Sequence, residues 1–295
     1  MTQQEKDRGT LHENLALLDR RLAREAQKKG ALFSELAALT HQPDVGQEAT
    51  PAERLRRAAQ LAFPLRGAGQ EAGAAASDRV AYIHAYLAQC EACGRPLRVS
   101  DLLPVQQPPG ARIAYVHNPY TDEAYESFSA VLNDPTVRYA DSFREACDHV
   151  VTDEADFCIL PYRNSSDRLA SFSDLAAHFS LSVCLLCRVF HADGLDVTHF
   201  ALYGRHPLPL PQEGEMHLRT SFFCAETAAL AAHITAASLM GIPLEEVTAA
   251  PYAERKGALT ATLTAQPPTP MIIPWLAYLT VFADGCTCHG LYKEI

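Results

Sequence analysis

Residues 155–168, ADFCILPYRNSSDR from Ala155 to Arg168, decide how the chain is read. A short apolar run, Phe157-Cys158-Ile159-Leu160, is stopped by Pro161 and followed by a polar turn, Asn164-Ser165-Ser166-Asp167. An apolar strand running into a polar loop is how α/β proteins deliver side chains to a cleft at the carboxyl edge of a sheet.

Outward from this stretch, strands and helices alternate. We expect strands at residues 113–116, 157–160, 181–189 and 197–203, with helices at 121–132, 142–151 and 172–178. Such alternation implies an α/β layer. Beyond a proline-rich linker at 207–211, the expected order is strand 217–224, helix 225–240, strand 244–250, strand 258–265, helix 271–283 and strand 286–292. That βαββαβ order is ferredoxin-like. Upstream, Leu11, Leu15, Leu18, Leu22, Leu32, Leu36 and Leu39 recur at steps of three and four, which predicts a helix with a buried stripe. Glu25 and Lys29 interrupt that stripe, either as a surface pair or as a polar pocket within a bundle. Thr50 and Pro51 open a second helix. Ser77 or Asp78 caps a third, and Gly94 ends it. The expected organisation is a helical module (1–103), an α/β module (111–206) and a C-terminal module (215–295).

With 48% hydrophobic and 20% charged residues, the chain can build sizeable cores. The net charge is −10. Residues 105–295 hold 22 acidic against 11 basic side chains, which argues against nucleic acid as partner. No apolar leader or uncharged span near 20 residues is seen, so the expectation is a cytoplasmic protein without membrane contact. Nine cysteines suggest reduced thiols. Cys90/Cys93 and Cys184/Cys187 lie in different modules. In a strand, Cys184 and Cys187 would point to opposite faces, so buried free cysteines are expected rather than a metal site. Cys286-x-Cys288-His289 lacks further ligands. No metal or cofactor is expected.

The order of modules resembles the chorismate mutase–prephenate dehydratase family, whose last module is a phenylalanine-binding ACT domain. Residues 151–183 resemble the dehydratase stretch ending in Pro-x-Glu-Asn-Ser/Thr, and Val197-Thr198-His199-Phe200 resembles its Thr-Arg-Phe motif. Arg112–Val116 (RIAYV) resembles the opening strand of that domain. The resemblance implies an all-α mutase-like module, a periplasmic-binding-protein-like α/β lobe and an ACT domain, with a homodimer formed through the last.

The departures carry equal weight. Only residues 191–196 separate the strand at 181–189 from Thr198, so the second lobe of the dehydratase cleft is absent. The glycine-rich opening loop is His117-Asn118-Pro119-Tyr120. Arg163 stands where the family has Glu, and His199 where it has Arg, a group that grips carboxylates bidentately. Thr198, Asn164 and Ser165 remain as dehydratase-pocket residues. In the helical module His12, Gly30 and Thr40 occupy positions where cations are expected, and Lys29 lies one residue from such a slot. Each lost contact costs about 3 kcal/mol in the transition state, so three cost about 9 kcal/mol, comparable to a million-fold acceleration. In the ACT-like module the effector-site positions are Ala228, Ala229 and Leu230 at a helix start, with Pro251 left from a turn. The resemblance thus points to a catalytically impaired regulatory or assembly partner in phenylalanine biosynthesis, a pseudoenzyme. The alternatives are a working mutase or dehydratase acting on a small aromatic substrate, and an amino-acid sensor built on the ACT-like module.

Overall fold

The computed structural model describes residues 3–41, 49–63, 75–106, 108, 110–164, 170–191, 196–209, 214–252 and 257–295. The chain forms two compact units, Met1–Leu97 and Arg98–Ile295.

The first unit is helical: α1 (Gln3–Thr40), α2 (Pro51–Ala62) and α3 (Ala76–Ala92). Thr50 caps α2 through a capping box with Glu53, and Pro51 takes the first helical position, where its missing N–H costs nothing. Burial of Tyr82, Ile83 and Leu55 packs α2 and α3 each against α1. Two expectations fail here. The α3 cap is Ala75, without a side-chain bond, because the helix starts ahead of Ser77. The leucine stripe of α1 is not buried: Leu18 is 53% exposed, Leu32 63% and Leu39 76%. The face of α1 that packs instead carries Ala37 and Thr40. The side chains of Leu11, Leu15 and Leu22 lie outside the described residues. Periodicity finds an apolar face but not whether the same unit covers it.

The second unit is mixed α/β, built on a nine-stranded sheet. After α4 (Val99–Leu102), its elements are β1 (Arg112–Tyr115), α5 (Pro119–Leu132), β2 (Thr136–Tyr139), α6 (Phe143–Val151), β3 (Phe157–Asn164), α7 (Ala170–His178), β4 (Ser182–Phe190) and β5 (Val197–Gly204). Then follow β6 (His217–Cys224), α8 (Thr227–Leu239), β7 (Leu244–Pro251), β8 (Leu259–Ala265), α9 (Ile272–Phe282) and β9 (Asp284–Glu294). The spatial order is β2-β1-β3-β5-β4-β9-β6-β8-β7. Strands β1 to β5 and strands β6 to β9 are joined at β4–β9, a parallel pair in which Val183 lies opposite Gly290.

The opening stretch becomes an interior strand. Cys158 and Leu160 enter the core beneath α6 and α7, while Phe157 and Ile159 enter the core on the α5 side. Burial on both faces explains the unbroken apolar run. Pro161 does not stop the strand, which continues to Asn164. The proline sits where the β3–β5 register becomes irregular, a position that tolerates a missing donor. A bulge between Val183 and Leu185 in β4 also overturns an expectation. It puts Cys184 and Cys187 in one core, on the α5 side, instead of on opposite faces. Both are buried free thiols, pushed up to about 12 by burial. His233 of α8 is buried between Phe222 and Tyr278.

Candidate functional site

The end of β5 carries the first candidate. Thr198 is buried, and its Oγ1 lies 2.9 Å from His191 Nε2. The His191 ring stacks on Tyr120 with centroids 4.5 Å apart. Tyr120 is placed by the start of α5, where the Asn118 side chain accepts from the backbone N–H groups of Tyr120 and Thr121 and Pro119 fills the first position. The residues that replace a glycine-rich loop therefore serve as a helix cap. Across the β3–β5 ladder Asn164 lies opposite Thr198, and Arg163 opposite His199. The side chains of Arg163 and Asn164, and all of Ser165, lie outside the described residues. The structure thus brings the backbones of Thr198 and Asn164 together. The side chain that meets Thr198 is His191, itself stacked on Tyr120, and the sequence singled out neither as a site residue.

The strands on either side of this cluster form a hairpin. β4 and β5 pair antiparallel from Phe190 opposite Val197 to Ser182 opposite Gly204, and the His191 N–H donates to the Asp196 carbonyl at 2.9 Å. Six residues, 191–196, make the whole connection.

The helical unit holds a cavity of about 330 Å³ lined by Thr40, Arg54, Arg57, Ala58, Leu61 and Tyr86, with Gln60 at its side. Arg54, Arg57, Ala58 and Leu61 follow i, i+3, i+4, i+7 spacing and so share one face of α2. The Arg54 guanidinium donates to the Ala49 carbonyl at 2.6 Å, which fixes its direction. Arg57 forms no ion pair within 4.0 Å among the described residues. Thr40 Oγ1 lies 2.8 Å from the Tyr82 hydroxyl and donates to the Leu36 carbonyl. Burial pushes the Tyr82 phenol up to about 12 and raises that of Tyr86 further. Two guanidiniums over apolar walls suit a small ligand with a carboxylate. Lys29 does not line this cavity; it pairs with Asp78. Gly30 has no neighbour near the place of a Cβ, and the side chain of His12 lies outside the described residues. Of the cation positions considered in the sequence, Thr40 is the one among the described side chains that lines the cavity. Its cations come from α2, and their three-residue spacing beside Ala58 and Leu61 was the signal that could have found them.

In the C-terminal strands, Ala228, Ala229 and Leu230 form the first turn of α8. Ala228 is exposed, whereas Leu230 is buried and faces the core. Pro251 ends β7 in the same cross-strand row as Leu259 and Cys224, so it shares a sheet end with the start of α8. Among the described residues no group of three or more His, Cys, Asp or Glu side chains is placed to hold a metal ion. Among them, too, no helix is long and apolar enough to cross a membrane.

No protein-family model matches the sequence, and no curated protein matches it. Solved structures with partial likeness include a prephenate dehydratase from Streptococcus mutans, with TM-score 0.49 and 15% identity over 62% of this chain and 98% of that one. A prephenate dehydratase from Arthrobacter aurescens in complex with L-Phe gives TM-score 0.46 and 13% identity, covering 62% of this chain and 90% of that one. GqqA, described as a novel type of quorum quenching acylase, gives 0.45 and 17%, covering 61% and 94%. At TM-scores under 0.5 these likenesses assign no activity to this chain.

Proposed function

We propose that this chain is a divergent relative of the mutase–dehydratase proteins that acts as a regulatory or assembly partner in aromatic amino-acid metabolism, without dehydratase turnover. The observation that carries the reading is the β4–β5 hairpin. A two-lobed cleft needs a second wall built between these strands, and six residues joined by a 2.9 Å bond at their base leave no length for one. Thr198 is engaged with His191 rather than presented to a substrate. The ACT-like reading of residues 215–295, its effector positions and the homodimer rest on the βαββαβ order and on the sequence resemblance.

The test is a coupled assay of the purified chain with prephenate and with chorismate, each with and without phenylalanine. The expected result is no phenylpyruvate from prephenate. Dehydration at ordinary enzyme rates, about 1–10³ s⁻¹, overturns the proposal.

A second reading is favoured by the cavity on α2. Arg54 and Arg57 supply positive charge where a carboxylate-bearing ring could sit, so the helical unit is proposed to bind, and slowly rearrange, chorismate. On this reading Arg54→Gln lowers any measured mutase rate by about 10²-fold, whereas Lys29→Ala leaves it unchanged. An activity lost with Lys29 and kept without Arg54 rules it out.

A further inference from the structure

Strand β6 turns two faces to different surroundings. Phe222 meets His233 of α8, and His233 in turn meets Tyr278 of α9, so the even-numbered side chains face the helices. Arg219 and Ser221 therefore face away from both helices. In β9 the register passes from Gly290 opposite Arg219 to Cys288 opposite Thr220. His289 is the extra residue of this bulge, and its Nε2 lies 2.6 Å from Ser221 Oγ. On the β3 side, the Tyr162 hydroxyl accepts from Arg219 Nη1 at 3.2 Å and lies 3.3 Å from the Tyr292 hydroxyl.

Arg219 is partly buried, yet a neutral phenol is its hydrogen-bond partner. Among the described residues no carboxylate lies within 4.0 Å of its guanidinium. Glu246 attracts it from farther away, while its own carboxylate is 3.5 Å from Thr264 Oγ1. A guanidinium has five donors, and a desolvated cation left without an anion is costly. We propose that Arg219, Ser221 and His289, with the Tyr162 hydroxyl beside them, form a binding site for the carboxylate of a small organic acid on the sheet face turned away from α8 and α9.

The side chains divide the work. Arg219 offers a planar pair of N–H donors matched to the two carboxylate oxygens. Burial, and then the charge of Arg219, lower the pKa of His289, so its imidazole is neutral at pH 7. With the proton on Nε2, His289 donates to Ser221 Oγ and leaves the serine hydroxyl hydrogen free for the anion. The nearby charged and titratable groups are Glu246 on β7, the His217–Glu245 pair, Tyr162, Tyr203 and Tyr292. None of them supplies an anion at bonding distance. This site is separate from the cavity on α2 and does not depend on the reading of that cavity.

Benzoate is the probe, and benzamide is its neutral counterpart of similar shape. Isothermal titration calorimetry on the full chain is expected to show saturable binding of benzoate. Because the cavity on α2 also suits a carboxylate-bearing ring, the titrations are made in an Arg54→Gln, Arg57→Gln background; there the affinity should fall at least about tenfold on adding Arg219→Gln and several-fold on adding Ser221→Ala. Melting curves establish that each variant is folded. If Arg219→Gln does not fold, Ser221→Ala and benzamide still decide. The proposal is overturned if benzamide binds as tightly as benzoate or if Ser221→Ala and the folded Arg219→Gln both bind like the parent. It is also overturned if benzoate shows no saturation by about 10 mM in that background.

Discussion

Arg112 begins β1 and reaches across to Asp156, the residue before β3. Its backbone N–H and Nε donate to one carboxylate oxygen at 2.9 and 3.0 Å, and Nη2 donates to the other at 3.0 Å. Burial alone would raise the Asp156 carboxyl, but the bonds and charge of Arg112 outweigh it and hold the group below its ordinary value of 3.8. The unfolded carboxyl binds its proton more readily than the folded one. The stabilisation is therefore complete above the ordinary value and is lost as pH falls through the lower folded value. Asp156→Asn should lower the melting midpoint at pH 7, and the gap from the parent should close as pH is taken below about 4. An equal gap at both pH values would remove this linkage. A second residue-scale contact, Thr40 to Tyr82, is buried and neutral. Thr40→Val leaves the Tyr82 phenol unpaired and should cost about 1–3 kcal/mol in urea unfolding. Adding Tyr82→Phe should recover part of that loss, because a buried group that needs no partner replaces one that does.

At the scale of elements, Gly290 shows why strand packing is harder to read than strand existence. A Cβ there would lie 2.7 Å from the Val183 carbonyl oxygen and 2.9 Å from the Val183 Cβ, on the neighbouring strand β4. Backbone cannot move aside as a flexible side chain can, so Gly290→Ala should cost about 1–3 kcal/mol, measured by denaturant midpoint. A neutral substitution would show that β4 and β9 are not pressed together at this row. Nothing in the local sequence of Gly290 marks that approach, because its cause lies more than 100 residues upstream. The strands and helices from 217 onward were legible, since alternation in β6 and the apolar run of α9 are local signals. β2 was missed: Thr136–Tyr139 is an exposed edge strand of four residues with no buried face to create a pattern. The candidate sites divide in the same way. Thr198 and Thr40 could be named from the chain, and the spacing of Arg54 and Arg57 was a local signal, but Tyr120 and Arg219 gain their roles from partners distant in sequence, His191 and Tyr162. Bulges at residues 183–185 and 289 then moved Cys184 and His289 to faces that simple alternation does not give.

At the scale of the molecule, the question is whether residues 98–295 behave as two folding units or one. The βαββαβ segment has its own sheet order, β9-β6-β8-β7, and could stand as a layer by itself. The seam argues for joint behaviour. Val183, Leu185 and Leu186 pair with Gly290, Lys293 and Glu294, and the Ile295 N–H donates to the Leu186 carbonyl at 2.9 Å. Tyr292 belongs to the same core cluster as Cys158, Leu160 and Tyr203, so a side chain from the last strand helps fill the core of the first five. Arg188 pairs with Glu294 across the junction. Pulling β9 away would expose Tyr292 and leave β4 as an open edge, at a cost of several kcal/mol from apolar area and ladder bonds together. Hydrogen exchange read by mass spectrometry should therefore give β3, β5, β6 and β8 the same free energy of opening in mild denaturant. Gly290→Ala should lower all four together. If the substitution loosened β6 and β8 while β3 and β5 kept the parent's protection, the sheet would be continuous in geometry but divided in stability.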